Sequence, residues 1–509
     1  MKINDHKLAI FLASLVLIFV YLYYVAVHPI TLYNGDDWKY FGSFVSRPIP
    51  SIGAWNVTRL LPENLMPLIG YFSAFFINPL VGDYLVAASI TLAIVIAIFL
   101  SLLYFAIYGL FCSLNENKSV NAVISIMLML ICFALFKGSE GNNAHMFYAG
   151  DYNLYFFYVF PNVLNSIIVL FLMKQLELKN GITAASSSGM LFAGIYFCIF
   201  SMLFSAGIIF AFSISVMISR FFIAFRGAGK FFGRLKRFAS DYVGNYLVSL
   251  IIILGTFIAM VLEINSKRSK SAQFTDTYFG SIFSIEFLKR MGASASNFFL
   301  HIRLMNNYVL LILTLIVFAA FAICLKKKAK PDPIINLAVQ CFLSGVVLFL
   351  FYLVIGAKSG PSYIEQIRCV YGVFFFVVIF VGLSAIYVIK EMKHFIKCIP
   401  LVLILLVLVV ANSSKPYNRV YELREEPLIA IFIEADKMGH TTIDLYGPYD
   451  IRVDVSEYHE GKYTWALDDI TIALYNHRIT KNRIRIGDYI VSSEDYVYYV
   501  PCVNAAASR

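Results

Sequence analysis

LAIFLASLVLIFVYLYYVAVH, residues 8–28, runs straight into PITLYNGDDWKYFGSFVSRPIPSIGAWNVTRLLPE, residues 29–63. The first segment holds no Asp, Glu, Lys or Arg. At 1.5 Å per residue it is long enough, as a helix, to cross a hydrocarbon core of about 30 Å. A signal peptide would have a shorter apolar core and a small-residue cleavage site; here Tyr21, Tyr23 and Tyr24 gather at the far end, as interfacial anchors do. With Lys2 and Lys7 ahead of it, the segment reads as an uncleaved first crossing with its N-terminus in the cytoplasm. That reading places residues 29–63 outside, and they carry Asp36, Asp37, Lys39, Arg47, Arg59, Glu63 and two of the chain's three tryptophans.

Composition agrees with a membrane chain. Of 509 residues 60% are apolar and 14% charged, and the mean hydropathy is +0.75; soluble domains carry about a quarter charged residues. Apolar runs recur along most of the length, and because hydrocarbon offers no partner to free backbone groups, those runs must be helices. Eight cysteines form no zinc spacing and no disulfide framework; six lie in or beside apolar runs, and Cys369 and Cys502 are the pair that an oxidising compartment could join. There is no Gly-rich phosphate loop, internal repeat or low-complexity tract, and no nucleic-acid partner is expected.

The predicted topology follows from charge. Leu65 to Leu80, broken by Asn78-Pro79 and Gly82-Asp83, is expected to lie at or dip into the outer interface, and Tyr84 to Ser113 to cross back. Residues 188–225 decide everything downstream. Read as a hairpin turning near Ser201 to Ser205, they keep Arg226, Lys230, Arg234, Lys236 and Arg237 on the cytoplasmic side with Lys326–Lys330 and Lys390, Lys393 and Lys397. The result is an all-α polytopic membrane protein of about eleven transmembrane helices. It leaves 18 Lys and Arg in short inner loops and 12 in the outer ones. The weak point is the outer loop from Asn265 to Asn307 with Lys267, Arg268, Lys270, Lys289, Arg290 and Arg303: either the loop has a job for positive charge, as a further and weaker phosphate candidate, or the topology is inverted there.

Domain organisation is then a multi-helix transmembrane domain, 1–412, with its first outer loop at 29–83, and a small soluble α/β domain, 413–509, outside the cytoplasm. The tail is charged, with a helix expected over Pro427 to Lys437 and strand-like alternation at Thr442–Tyr446, Ile451–Val455 and Arg483–Ile486.

The chemistry sits in the outer loops. A partly desolvated carboxylate among aromatics gains the proton affinity a general base needs, which singles out Asp36 and Asp37; a pair of carboxylates could equally hold a divalent cation. The same residues also read as a helix start, Asn-Gly-Asp-Asp before Trp38-Lys39-Tyr40-Phe41. Arg368, opening the tenth helix at its outer end, can hold a phosphate bidentately and stabilise it as a leaving group; a snorkelling Arg is the plain alternative. Arg59 is a second phosphate candidate, and Lys39, Trp38, Glu63, His145 and His301 are weaker candidates for contact with a substrate. Asn56-Val57-Thr58 and Asn412-Ser413-Ser414 match the glycosylation sequon.

One helix, an outer loop opening with Gly35-Asp36-Asp37-Trp38, the segment Thr58-Arg59-Leu60-Leu61-Pro62-Glu63 farther along it, about ten more helices and a C-terminal outer domain together resemble the GT-C superfamily, and within it the bacterial serotype-converting O-antigen glucosyltransferases. The resemblance implies an inner-membrane enzyme with a polyprenyl-phosphate sugar donor, an inverting displacement at the anomeric carbon, and a lipid-linked glycan acceptor such as O-antigen. It implies that Asp36 or Asp37 meets the acceptor hydroxyl or a metal, and that Arg368 meets the lipid phosphate. No cofactor is required by any pattern in the chain. Two other classes fit a multi-helix chain, a lipid-linked sugar flippase or transporter and an O-antigen-type polymerase. Transport calls for ionisable residues near the bilayer midplane, and the apolar runs carry almost none.

Overall fold

A computed structural model describes residues 5–32, 35–136, 146–149, 152–178, 188–226, 231–270, 284–326, 332–413, 422–447, 464–491 and 497–502. Helix dominates. Ten helices among the described residues are long and apolar enough to cross a membrane, so the chain is built as a multi-pass membrane protein.

The first helix, α1 (Asp5–Leu22), continues through a wider turn at Tyr23–Val27. A short helix, α2 (Gly35–Gly42), follows with Asp36 and Asp37 in its first turn, where the positive end of the helix dipole favours carboxylates. Next come α3 (Leu60–Phe72), prolonged by Ser73–Ile77 and Asn78–Val81, and α4 (Tyr84–Phe111), capped by the Asp83 carboxylate on the Val86 N–H at 2.9 Å. Helix α5 spans Lys118–Ala134, and a continuous helical stretch, α6, runs over Tyr152–Leu178.

The loop after α1 defines one face of the bundle, and contacts show which helix ends share it. The Tyr24 hydroxyl donates to the Phe147 carbonyl at 2.8 Å, and the Asn153 N–H to Asp37 at 2.6 Å. Farther along, α7 (Ser188–Ile199) and α8 (Leu203–Arg226) are separated by a break at 200–202. At that break Tyr196 donates to the Pro48 carbonyl at 2.6 Å and the Leu61 N–H to the Phe200 carbonyl at 3.1 Å. At the other end of α8, Arg220 pairs with Glu177, near the far end of α6, at 2.7 Å. Residues 188–225 are therefore a hairpin, but an unequal one, since twelve residues of α7 span only about 18 Å.

Leu60–Val81 passes the length and apolarity test for a crossing, yet both its ends lie on the loop face: Leu61 meets Phe200, and Tyr84, just past the other end, stacks on Trp38 of α2. It runs along that face. By length and apolarity the set is ten, against about eleven expected. Leu60–Val81 enters it, while Lys118–Ala134 and Gly189–Ile199 fall short.

Beyond α9 (Phe231–Asn245) and α10 (Leu247–Ile264), the loop-face segment contains α11 (Ile285–Leu304). Three long helices follow, α12 (Asn307–Lys326), α13 (Pro333–Ser359) and α14 (Ile367–Glu391), then α15 (Ile399–Ser413). Lys390 pairs with Asp332 at 2.9 Å on the face away from the first loop. All eight cysteines are free thiols, Cys369 and Cys502 included.

The C-terminal domain contains α16 (Glu422–Lys437), β1 (Thr442–Gly447), α17 (Thr464–Asn476), β2 (Arg485–Val491) and β3 (Tyr498–Pro501). Its sheet has the order β2-β1-β3, parallel between β1 and β2 and antiparallel between β1 and β3. Helix α16 starts earlier than the expected Pro427, β2 starts at Arg485 instead of Arg483, and Ile451–Val455 lies outside the described residues. The domain packs α17 along α2. The contact is close because Gly42 has no side chain, and a Cβ there would come 2.5 Å from the Cβ of Ala473. Asn476 seals it with bonds to the Gly42 carbonyl at 2.9 Å and the Ser43 hydroxyl at 3.1 Å.

Candidate functional site

The first loop, α6, the start of α14 and the C-terminal domain meet at one place on the loop face, and the candidate residues divide sharply there. Asp37 is fully buried and accepts the Asn153 N–H, tying α2 to the start of α6. Asp36, one position earlier and so about 100° around the helix, is exposed. The neighbouring aspartates thus face different surroundings. Trp38, expected at the site, is instead fully buried and stacks on Tyr84 with ring centres 6.3 Å apart. The alternation is that of an amphipathic helix: the positions after Asp36 that face inward pack, and those that face outward carry charge.

Around Asp36 the structure assembles a charged group. Lys39 lies over the Tyr40 ring at 5.6 Å. The Tyr40 hydroxyl is 3.4 Å from Asn56 Nδ2, and the same amide donates to the buried Glu63 carboxylate at 2.6 Å. Ser46 also donates to Glu63. Burial holds the Tyr40 hydroxyl above its ordinary pKa, with Glu63 and Asp36 adding to the effect and Arg59 and Asn56 opposing it. Asn56 is 4% exposed and spent on Glu63, so in this fold its sequon cannot accept a glycan.

Arg59 joins this group to a second one. Its guanidinium sits 5.4 Å from the centre of the Phe157 ring, and the Tyr40 ring lies 5.0 Å from the same ring. The next residue, Tyr158, carries Arg368 over its ring at 4.7 Å, and the charges of both Arg368 and Arg59 reach its hydroxyl. Phe157 and Tyr158 lie on a widened helical turn, Tyr155–Val159, a feature that concentrates at functional sites. Arg368 is fixed from two sides: its Nε donates to Gln366 at 3.0 Å, and its carbonyl accepts from Asn162 at 2.9 Å. Asp36, Lys39, Glu63, Arg59 and Arg368 are thereby brought into one connected region.

The basic set from Lys267 to Arg303, a weaker phosphate candidate in the sequence, reaches this region in part, and one further member was missed. Lys267 and Arg268 donate backbone N–H groups to Ala54 and Trp55, each at 3.3 Å, and Arg268 reaches Asn56 Oδ1 at 3.5 Å. Thr58 donates to Glu263 at 2.7 Å. Part of the basic loop that strained the charge rule therefore serves this region. Asp469 of α17 is the other addition. Its carboxyl is held up at about 6, chiefly by burial, with Lys39 and Arg483 lowering it and Asp36 and Asp468 raising it. The Asp468-Asp469 pair was visible in the sequence, but nothing local linked it to Lys39 at the other end of the chain.

Two candidates fall away from this group. His301 is buried among Phe136, Phe298 and Phe374 with Nε2 2.6 Å from the Ile364 carbonyl, and burial lowers its pKa; it is a packing residue. His145 lies outside the described residues. Among the described residues no three His, Cys, Asp or Glu side chains converge to hold a metal ion. The arrangement offers two guanidiniums backed by aromatic rings, with carboxyl groups beyond Tyr40, and such a surface can take a phosphate beside a group that must lose a proton. No protein-family model, curated protein sequence or solved structure matches this chain.

Proposed function

We propose that the chain is a membrane glycosyltransferase of the GT-C type. It moves a hexose, expected to be glucose, from a polyprenyl-phosphate donor to a lipid-linked glycan such as O-antigen on the outer face of a bacterial inner membrane. The observation that carries the reading is the position of Arg59, between the Tyr40–Glu63 group and the Tyr158–Arg368 pair. In the step so read, an acceptor hydroxyl oxygen attacks the anomeric carbon. The bond from that carbon to the phosphate oxygen breaks, and the electron pair leaves with the phosphate toward Arg59 and Arg368. The hydroxyl proton passes to a carboxylate, Asp36 being the exposed one. Inversion follows from attack opposite the leaving group. Planar guanidiniums suit this role, since they present paired donors to a phosphate and keep their charge on an aromatic face.

Membranes containing the full chain, supplied with polyprenyl-phosphate glucose and a lipid-linked glycan, test the reading. Transfer should be lost in Arg59→Ala and in Arg368→Ala. Undiminished transfer in both, or translocation of the labelled donor with no bond formed, would sink it, the latter in favour of a transporter. Products lengthened by whole repeat units would instead indicate a polymerase.

A further inference from the structure

The C-terminal domain presents a second basic surface, away from Asp469. Immediately past α17 the chain turns through Arg478, whose φ of +58° makes it the sole non-glycine with positive φ among the described residues. The Ile479 N–H closes the helix end on the Leu474 carbonyl at 2.9 Å, a position where glycine is usual because L side chains are strained there. Beyond it, the Asp436 carboxylate accepts the backbone N–H groups of Lys481 at 2.8 Å and Asn482 at 2.9 Å, and the Asn482 side chain at 3.1 Å. The turn is thus held at both ends. Tyr475, Asn476, Arg478, Thr480 and Lys481 line an open cavity of about 510 Å³, with the side chains of Arg478 and Lys481 both exposed.

The location of this cavity is what gives it meaning. The Arg478 guanidinium stands 5.7 Å from the centre of the Phe75 ring, and Phe75 belongs to the helical segment Leu60–Val81 that lies along the loop face. Leu68, Phe72, Phe75, Phe76 and Leu80 of that segment are all exposed. They recur every three or four residues, while Met66, Gly70, Ser73 and Ala74 are buried against the protein. This is the pattern of a helix that lies in a bilayer interface with its apolar stripe in the acyl region. Cations directly beside such a stripe stand at the height of lipid phosphates.

We propose that the cavity at Tyr475–Lys481 binds the phosphate of an acidic phospholipid headgroup, seating the C-terminal domain on the membrane surface beside the stripe of residues 68–80. Arg478 supplies a planar pair of donors and Lys481 a second charge; Asp436 is engaged by the turn's own backbone. The proposal does not rest on the transferase reading, and its test does not use transfer. The full chain is placed in nanodiscs of phosphatidylcholine alone or of phosphatidylcholine mixed with phosphatidylglycerol, and hydrogen exchange is followed at residues 477–483. Protection should rise in the phosphatidylglycerol discs and fall again with added salt. The preference should weaken about fivefold for each cation removed, in Arg478→Gly, which relaxes the backbone, and in Lys481→Ala. Arg478→Lys, keeping the charge, should retain much of it. Equal protection in the two discs would overturn the proposal. So would a preference that survives in the double variant, or protection reproduced in phosphatidylcholine discs by inorganic phosphate, which would mark a site for a soluble anion.

Discussion

The two faces of the bundle use positive charge in opposite ways. Away from the first loop, cations sit at helix ends and meet acids directly: Arg220, which also lies 4.6 Å from the centre of the Tyr246 ring, on Glu177 at 2.7 Å, and Lys390 on Asp332 at 2.9 Å. On the loop face, Arg59 and Arg368 rest on Phe157 and Tyr158, while Glu63 takes its hydrogen bonds from Asn56 and Ser46. A cation in a direct ion pair serves topology and stability. A guanidinium that rests on an aromatic ring with no carboxylate in direct contact, as Arg59 and Arg368 do among the described residues, keeps its planar donors for an anion arriving from outside. The contrast separates charge that orients the chain from charge that can do chemistry.

The sharpest way to break this comparison is to remove one arginine from each face. Arg368→Ala or Arg59→Ala should lower the transfer rate about 10²–10³-fold, the usual cost of losing a preorganised donor to developing negative charge, and leave folding intact. Arg220→Ala should do the reverse, keeping the rate and costing about 1.5–3 kcal/mol of stability as Glu177 loses a charge-assisted hydrogen bond. Rates in membranes and unfolding midpoints in detergent measure the two. Equal behaviour of the two arginines would erase the distinction.

A second comparison lies within α2. Asp37→Asn should destabilise by about 1–3 kcal/mol, because a buried acceptor for the Asn153 N–H is replaced by an amide that must also bury its own donors. Asp36→Asn, at an exposed position, should leave stability within about 0.5 kcal/mol while lowering transfer. Thermal unfolding and transfer assays on the two variants check the split; an Asp37 variant of wild-type stability would contradict the burial argument.

Asp469 gives a pH test of smaller size. Its carboxyl is raised to about 6 in the fold from an ordinary value near 3.8, so between those values the folded chain binds more protons than the unfolded one. Stability then falls as pH rises through that window, with the docking of α17 on α2 loosest above about pH 6. Asp469→Asn should flatten this part of the profile, as read by unfolding midpoints across pH 4 to 7. A wild-type profile unchanged in the variant would remove Asp469 from the charged group around Lys39.

The smallest effect belongs again to the far face. Lys390→Ala should change stability by less than about 1 kcal/mol, as expected of a pair with an exposed lysine. A larger loss would mean that far-face cations do more than orient the chain.

Legibility differed along the same lines. The hairpin at residues 188–225 could be read because five basic residues after it had to share a side with the other basic clusters. The start of α2 could be read because Asn-Gly-Asp-Asp is a local signal. The Pro and Gly breaks give Leu65–Leu80 an interfacial reading, and the helical segment found there, Leu60–Val81, has both its ends on one face. The burial of Trp38 and His301 could not be read, since each is set by rings from remote helices, Tyr84 for one and Phe298 and Phe374 for the other. Nor could the arrival of Arg268 at Asn56, which depends on the loop after α10 pairing its backbone with residues 54–55.

What the sequence by itself determined is a chain of apolar helices whose polar loops alternate between two faces, because hydrocarbon length and backbone hydrogen bonding leave helices no alternative and charge bias ranks the two sides. What only the tertiary structure decided is which polar residues meet. Hydropathy is a property of each residue and its near neighbours, and so survives in a linear reading. The Arg59 bridge and the α2–α17 contact instead come from packing between segments far apart in the chain, down to the missing side chain of Gly42 that lets Ala473 approach.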